Sequence, residues 1–195
     1  MPQETEIYAL IDSRLLRRYD LSLARVGRFL EEAKIPIAQY RDKEASDADV
    51  ARALEELRIY YSGTLIVNDR LGLAGLADGL HLGQEDLAAI DPDSEAAVSK
   101  VRRQIGSKLL GLSTHNREEI ETANALDLDY IGLGAYRSTA TKADAGVSGK
   151  ALLELARLSR HPVALIGGVR WEDRFEAPIR YKVLGSALME RIANL

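Results

Sequence analysis

Two aspartates lie just past short apolar runs, where acidic side chains can do chemistry. Asp69 follows one run and Asp86 follows the next along the chain. Carboxylates of this kind hold hard cations such as Mg²⁺, which takes one or two of them together with substrate phosphates. Arg41 and Lys43 follow an earlier run, and both side-chain types bind phosphate oxygens. Together they are the parts that a magnesium–pyrophosphate site needs.

Each of these residues also has a plainer interpretation. Asp69 and Asp86 both precede helical patterns, where aspartate is a common helix cap. Gln39, Arg41 and Lys43 alternate, so on a continued strand they point the same way, yet they fit an exposed strand end with local ion pairs equally well. The coincidence of two carboxylates with the basic groups favours metal binding.

Polar groups also follow the later runs. Thr139-Ala140-Thr141-Lys142 combines hydroxyls with a cation, which suits phosphate oxygens. Gly167-Gly168 and Gly185-Ser186 could bind a phosphate through backbone N–H groups, or could simply form tight turns.

Three histidines are present. His115 is the best acid–base candidate, although a helix-start residue that packs or caps locally fits as well. His81 lies within an apolar run and is predicted to be a core or rim histidine with satisfied hydrogen bonds. His161, before Pro162, is predicted to be a turn residue.

The apolar runs themselves are predicted strands, separated by helical patterns. They are continuous rather than alternating, which is typical of parallel strands covered by helices. Eight strands alternating with helices favour a closed α/β (β/α)8 TIM barrel over a flavodoxin-like open sheet. The predicted strands are 7–11, 35–40, 64–67, 79–82, 108–112, 130–133, 163–166 and 181–184.

Such a barrel brings the candidate residues together, because the loops that follow its strands share one face. The chain is near the lower limit of ~200 residues for this fold, so some connections must be trimmed. We predict a shortened seventh unit, with one or two helical turns within 171–177, before Pro178. Ser46 is a predicted helix N-cap, and Asn116 with Glu119 resembles a capping box.

Length and composition narrow the class of protein. The 195 residues, 46% hydrophobic and 29% charged, predict one globular domain over 1–195. With a net charge of −4 and scattered basic residues, a nucleic-acid partner is not expected. The absence of cysteine excludes disulfides, cysteine-ligated metals and a thiolate nucleophile. No apolar stretch approaches the ~18 residues of a membrane span, so we expect a cytoplasmic protein with no membrane partner.

The chain resembles the thiamine phosphate synthase family over nearly its whole length. The fourth-strand motif with Gly83-Gln84-Glu85-Asp86 is highly specific. The motifs occur in the family's order: Gln39-Tyr40-Arg41-Asp42-Lys43, Asn68-Asp69-Arg70, Asp78-Gly79-Leu80-His81-Leu82-Gly83-Gln84-Glu85-Asp86, Ser113-Thr114-His115-Asn116, Asp129-Tyr130-Ile131-Gly132-Leu133-Gly134, Thr139-Ala140-Thr141-Lys142 and Ile166-Gly167-Gly168-Val169.

The resemblance implies a (β/α)8 transferase that joins hydroxymethylpyrimidine pyrophosphate to thiazole phosphate and releases pyrophosphate with Mg²⁺. It implies that Asp69 and Asp86 ligate Mg²⁺ and that Ser113 lies beside the pyrimidine. The implied pyrophosphate ligands are Gln39, Arg41, Lys43, Asn68 and Lys142, and the implied thiazole phosphate contacts are Thr139, Thr141 and Gly168. The implied catalytic residues are Arg41, Lys43, Ser113 and Lys142, with no protein nucleophile.

Two departures from the family pattern are visible. The loop after Gly134 lacks the usual proline, and Glu190 stands where the family typically has a serine near the thiazole phosphate. A thiazole tautomerase-like barrel and a non-catalytic barrel that binds a phosphorylated ligand remain as alternatives, and a homodimer remains open.

Overall fold

Eight parallel strands close into a barrel in chain order. The computed structural model describes residues 5–137 and 149–195, and β8 pairs with β1 to complete the ring. The predicted (β/α)8 fold is confirmed, and each predicted strand is present with small shifts at its ends. The strands are β1 (Glu6–Asp12), β2 (Ile37–Arg41), β3 (Thr64–Asn68), β4 (Gly79–Leu82), β5 (Leu109–Thr114), β6 (Tyr130–Gly134), β7 (Val163–Ile166) and β8 (Ile179–Leu184).

Helices cover the outside of the barrel. Their apolar faces pack on the outward side chains of the strands, such as the fully buried Ala9, Ala38 and Leu65. Within the described residues no helix is both long enough and apolar enough to cross a membrane. The helices are α1 (Ser13–Arg18), α2 (Leu23–Glu32), α3 (Asp47–Tyr60), a 3-10 helix (Leu71–Leu76), α4 (Gln84–Ile90), α5 (Ser94–Ile105), α6 (Arg117–Ala123), α7 (Lys150–Ala156) and α8 (Ser186–Ala193).

The barrel interior is a second, smaller cluster of side chains. Its buried members are Tyr8, Ile37, Ile66, Tyr130, Ala164 and Val183. Because side chains two apart on a strand share a face, the interior face of β2 continues through Gln39 to Arg41, and that of β3 continues to Asn68. The strand pattern therefore aims these polar groups at the carboxyl end of the barrel.

The connection between β7 and β8 differs from the prediction. Residues 167–178, all of them described, contain no helix, so the expected one or two turns within 171–177 are wrong. The Lys182 Nζ donates to the carbonyl oxygens of Trp171 at 2.6 Å and Asp173 at 3.3 Å. The Asp173 carboxylate accepts from the Arg170 backbone N–H and from Arg137. Side chains hold this short segment where too few residues remain to form and pack a helix.

The predicted helix starts are confirmed with one adjustment. Ser46 accepts from the Asp49 N–H at 3.2 Å and caps α3. Asn116 accepts from the Glu119 N–H at 2.9 Å. The Glu119 carboxylate accepts from the Asn116 side-chain amide at 2.9 Å, but its backbone donor is the His115 N–H at 2.7 Å rather than the N–H of the cap residue. The reciprocal bond of the box therefore reaches one residue further back.

Candidate active site

Asp69 and Asp86 meet at the carboxyl end of the barrel. Asp69 directly follows β3 with a backbone φ of 60°, a left-handed conformation that aspartate tolerates better than most residues. Its N–H donates to the His81 carbonyl oxygen at 2.9 Å, which holds the turn against β4. Asp86 lies in the first turn of α4, and its carboxyl group is in hydrogen-bonding contact with that of Asp69.

The electrostatics of this acidic pair favour a cation. Burial, and then the Asp69 carboxylate, raise the pKa of Asp86, while Lys43 and the Gly83 N–H act in the opposite direction. The Lys43 Nζ lies 3.3 Å from the Asp69 carboxylate. Two adjacent carboxylates repel each other when both are ionised, so a positive ion between them relieves the repulsion.

A magnesium ion fits this donor set. Across residues 5–137 and 149–195, no group of three or more His, Cys, Asp or Glu side chains is placed to hold a metal. Mg²⁺ keeps several waters and binds through one or two carboxylates plus substrate phosphates, so it does not need a larger protein cage. Asp69 and Asp86 would hold the ion, and its charge would offset that of bound phosphate oxygens.

Arg41 lies at the same end of the barrel, on the strand next to β3, and has its own carboxylate partner. At the end of β2 it forms an ion pair with Asp12 at the end of β1. Asp12 is buried and also caps α1, accepting from the Arg14 N–H at 2.9 Å. The sequence analysis missed Asp12, although it follows the first apolar run in the same way that Asp69 follows the third.

Gln39 and Ser113 are the two ends of a hydrogen-bonded chain inside the barrel. The Gln39 Nε2 donates to the Tyr8 hydroxyl at 2.7 Å, and the Tyr8 and Tyr130 hydroxyls are 2.9 Å apart. The Tyr130 hydroxyl lies 3.1 Å from His81 Nδ1, and His81 Nε2 lies 2.9 Å from the Ser113 Oγ. These hydrogen bonds cross the barrel interior from β2 to β5. Tyr8 and Tyr130 were missed as functional candidates, because tyrosines in apolar strands are indistinguishable from core residues in the sequence.

Glycines on two strands make room for these rings. A Cβ on Gly111 would lie 2.2 Å from the Tyr130 ring and 2.5 Å from His81 Nδ1. A Cβ on Gly132 would lie 3.0 Å from the His81 Cε1. Space that aliphatic side chains usually fill in such barrels is therefore reserved for a polar chain.

The three histidines match the local interpretations. His81 is buried with both ring nitrogens hydrogen-bonded, and burial lowers its pKa to about 4, slightly offset by Asp69. His115 is half exposed, with its Nδ1 3.0 Å from the Glu119 carboxylate at the start of α6. His161 binds the Ala123 carbonyl oxygen at 2.9 Å. His115 thus serves as a helix-start residue.

The remaining candidates are dispersed. Asn68 ends β3 beside His81 in the register, and it is half-buried on the interior side of the rim. Gly168 is exposed with a φ of 64°, and its carbonyl oxygen accepts from Arg137 at 2.6 Å. Glu190 is exposed on α8. Thr139, Thr141 and Lys142 lie outside the described residues.

Arg137 ties the loop after β6 to the segment that replaces a helix between β7 and β8. Its guanidinium donates to both Asp173 carboxylate oxygens, at 2.6 and 2.8 Å. The hydrogen bonds between them raise the pKa of Arg137 and lower the pKa of Asp173. Arg137 is therefore committed to this pair and holds the edge of the rim.

Comparisons with known proteins agree with this architecture. The thiamine monophosphate synthase family model matches residues 7–192. A thiamine-phosphate synthase of Methanosarcina barkeri is 35% identical over 178 residues, 88% of this chain and 76% of that protein. One from Persephonella marina is 36% identical over 176 residues, 85% of this chain and 78% of that protein.

A solved structure shares the fold. The thiamine phosphate pyrophosphorylase from Pyrococcus furiosus superposes with a TM-score of 0.71 at 21% identity, covering 96% of this chain and 95% of that one. At that identity the superposition supports the fold alone, whereas the family match extends over almost the whole chain. The chain belongs to the thiamine monophosphate synthase family.

Proposed function

We propose that this protein is a thiamine phosphate synthase. It joins hydroxymethylpyrimidine pyrophosphate to thiazole phosphate, releases pyrophosphate and uses Mg²⁺. The observation that carries the proposal is the contact between the Asp69 and Asp86 carboxyl groups with Lys43 at 3.3 Å. Two carboxylates without histidine ligands, beside a half-exposed lysine, suit a magnesium pyrophosphate better than a neutral ligand.

The chemistry that this site must perform is charge stabilisation rather than nucleophilic attack. The bond from the pyrimidine methylene carbon to the pyrophosphate oxygen breaks, and the thiazole nitrogen forms the new bond to that carbon. The negative charge leaves with the pyrophosphate, so cations that face it accelerate the reaction. Lys43 and Arg41 stand on the same rim as the acidic pair and would bind the leaving oxygens.

Arg41 would act with Asp12 rather than alone. The buried Asp12 carboxylate holds the guanidinium at the strand end, which keeps the side chain ordered before substrate arrives. An arginine has five N–H donors, so those not committed to Asp12 remain for phosphate oxygens. This prior positioning lowers the entropy lost when the pyrophosphate binds.

Mg²⁺, held by Asp69 and Asp86, would supply charge neutralisation of the pyrophosphate. Gln39, Asn68 and Ser113 would contact the same substrate from the interior side of the rim. Thr139, Thr141 and Lys142 would complete the phosphate contacts from the loop after β6, and Gly168 would bind the thiazole phosphate through its backbone N–H.

The test is an assay of purified protein with both substrates, with Mg²⁺ and with a chelator. We expect equal amounts of thiamine phosphate and pyrophosphate in the presence of Mg²⁺, and loss of both products on chelation. Turnover that survives chelation would contradict the metal assignment. A folded protein that binds both substrates but forms no product would instead be a silent phosphate-binding barrel, and isomerisation of the thiazole alone would indicate a tautomerase.

A further inference from the structure

The chain of hydrogen bonds inside the barrel has a direction. Its four links join Gln39, Tyr8, Tyr130, His81 and Ser113, and each link is between 2.7 and 3.1 Å. Four of the five side chains are buried, with exposures of 6% for Gln39, 1% for Tyr8, 2% for Tyr130 and 8% for His81. Ser113, half-buried, is the member that reaches the open end.

Counting hydrogens sets that direction. The Gln39 amide nitrogen can only donate, so the Tyr8 hydroxyl accepts from it and its single hydrogen goes to Tyr130. The Tyr130 hydroxyl, having accepted, donates its own hydrogen to His81 Nδ1. A neutral imidazole carries one hydrogen, which must then lie on Nε2 and point to the Ser113 Oγ.

The reverse direction leaves a hydrogen without an acceptor. If His81 Nδ1 donated to Tyr130 and Tyr130 donated to Tyr8, the Tyr8 hydroxyl would accept from two sides and its own hydrogen would have no place in the chain. A buried donor that lacks a partner is costly, and among the described residues no buried side-chain nitrogen or oxygen lacks one. With the Gln39 amide nitrogen placed on the Tyr8 hydroxyl, only the forward direction uses every hydrogen of these links.

We propose that this chain fixes His81 as the Nε2–H tautomer, so that the Ser113 hydroxyl accepts from His81 and offers its own hydrogen to the substrate. Ser113 then recognises a hydrogen-bond acceptor, such as a ring nitrogen of the pyrimidine, and discriminates against a donor at that point. Tyr8, Tyr130 and His81 are positioning residues that act through Ser113. The identity of the substrate rests on the proposed function, whereas the tautomer and the direction of the chain do not.

The interior is built in a way that suits this role. Gly111 and Gly132 leave the space in which the Tyr130 and His81 rings lie, with the two rings stacked at 5.5 Å between centroids. Both hydrogen-bond partners of the imidazole are neutral hydroxyl groups, so neither partner carries a charge that favours protonation of the ring. The Ser113 backbone is also held in place, because its carbonyl oxygen accepts a hydrogen bond from Gln84 Nε2 at 2.6 Å.

Nitrogen-15 NMR of the imidazoles tests the tautomer without any substrate. Of the three histidines, His81 is identified by the imidazole signals that are missing from a His81→Gln spectrum. We expect the neutral His81 ring to carry its hydrogen on Nε2, and we expect Tyr130→Phe to change that distribution, because Nδ1 then loses its donor. A ring hydrogen on Nδ1 in the wild type, or a Tyr130→Phe spectrum identical to that of the wild type, would overturn the proposal.

Steady-state kinetics test whether the direction of the hydrogen bonds affects substrate binding at Ser113. Tyr130→Phe should raise KM for the pyrimidine substrate about tenfold, the effect of about one hydrogen bond, with a much smaller change in kcat. Tyr181→Phe is the matched control, since the Tyr181 ring contacts Tyr8 and Tyr130 edge-on while its hydroxyl lies outside the chain. In a Ser113→Ala background, Tyr130→Phe should have little further effect on KM.

These outcomes separate the proposal from the proposed function. Equal KM effects of Tyr130→Phe and Tyr181→Phe, or additive effects of Tyr130→Phe and Ser113→Ala, would show a purely structural chain and reject the proposal. A wild-type protein that makes no thiamine phosphate would reject the proposed function, while the NMR result still decides the tautomer.

Discussion

The rim of the barrel and its interior carry different kinds of polar group, charged at the rim and neutral in the interior. At the rim, charged side chains face one another across neighbouring elements: Asp12 with Arg41, Asp69 with Lys43, and Asp69 with Asp86. In the interior, neutral groups connect Gln39 to Ser113 through two tyrosines and a histidine. Of the charged groups only Asp12 is buried, with Arg41 as its counter-ion, whereas all the neutral groups except Ser113 are buried.

The difference follows from the cost of desolvation. Burying an unpaired charge costs far more than burying a hydroxyl that keeps a hydrogen bond, so charge is stable only where solvent or a counter-ion can reach it. His81 lies at the boundary, and its pKa falls to about 4, so it stays neutral. The rim can therefore bind and neutralise a pyrophosphate, while the interior can only orient.

The largest expected effect is at the rim. Asp86→Asn should lower kcat/KM on the order of 1000-fold in the synthase assay, since it removes a ligand of an ion that supplies several kcal/mol of charge stabilisation. Glu85→Gln is the matched control, because Glu85 is the exposed neighbour in the same turn of α4 and should stay within about twofold of wild type. Similar losses in both variants would mean that the helix, not the ligand, was disturbed.

Because His81 is buried and neutral, the free energy of unfolding should depend on pH in the acid range. Below about pH 6.5 the unfolded chain protonates His81, whereas the buried ring of the folded state resists protonation down to about pH 4. The unfolded state thus binds more protons in this window, and the free energy of unfolding falls as the pH falls. Relative to His81→Gln, the wild type should lose about 3 kcal/mol between these two pH values, as measured by urea unfolding.

The His81→Gln variant is itself the control here, because the carboxylates titrate in both proteins and cancel in the difference. Parallel pH profiles for the two proteins would mean that His81 titrates normally in the folded state. The conclusion that the barrel interior stays neutral would then be wrong.

A smaller effect is expected for a single interior hydroxyl. Tyr8→Phe leaves the Gln39 amide and the Tyr130 hydroxyl without a shared partner and should lower the free energy of unfolding by about 2 kcal/mol. Tyr181→Phe, in the same aromatic cluster, should change it by less than about 0.5 kcal/mol. Equal urea midpoints for the two variants would show that the chain adds nothing to stability.

The smallest effect is expected for the exposed lysine of the rim. Lys43→Met should raise KM for the pyrophosphate substrate about tenfold, since a charge-assisted contact is lost, and should leave stability almost unchanged. Lys100→Met is the matched control: Lys100 also pairs with an aspartate, Asp91 at 2.6 Å, but on the outside of α5. An equal change in KM for both lysines would indicate a general effect of charge.

The sequence predicted much of the fold because parallel strands covered on both faces are continuous apolar runs. It also predicted which polar residues share the rim, since the topology places every residue that follows a strand at the same end. The helix between β7 and β8 was predicted wrongly, because a short polar segment with an aspartate and an arginine fits a helix turn as well as the side-chain pairings that Lys182 and Arg137 make.

The chain of hydrogen bonds inside the barrel could not be predicted from the sequence. Tyr8 and Tyr130 are 122 residues apart and each fits an apolar strand, so neither position indicates that the two hydroxyls meet. Asp12 was missed for a similar reason, since its partner Arg41 lies on another strand and only the register of β1 against β2 places them together.

The sequence alone determined the order of the eight strands, and it placed Asp69, Asp86, Arg41 and Lys43 at or after the carboxyl ends of strands rather than before them. Only the tertiary structure decided which of these groups touch and which interior groups are joined by hydrogen bonds. Periodicity is a local property of the chain, whereas contact depends on barrel closure and burial, which bring distant side chains together and require every buried hydrogen to find an acceptor.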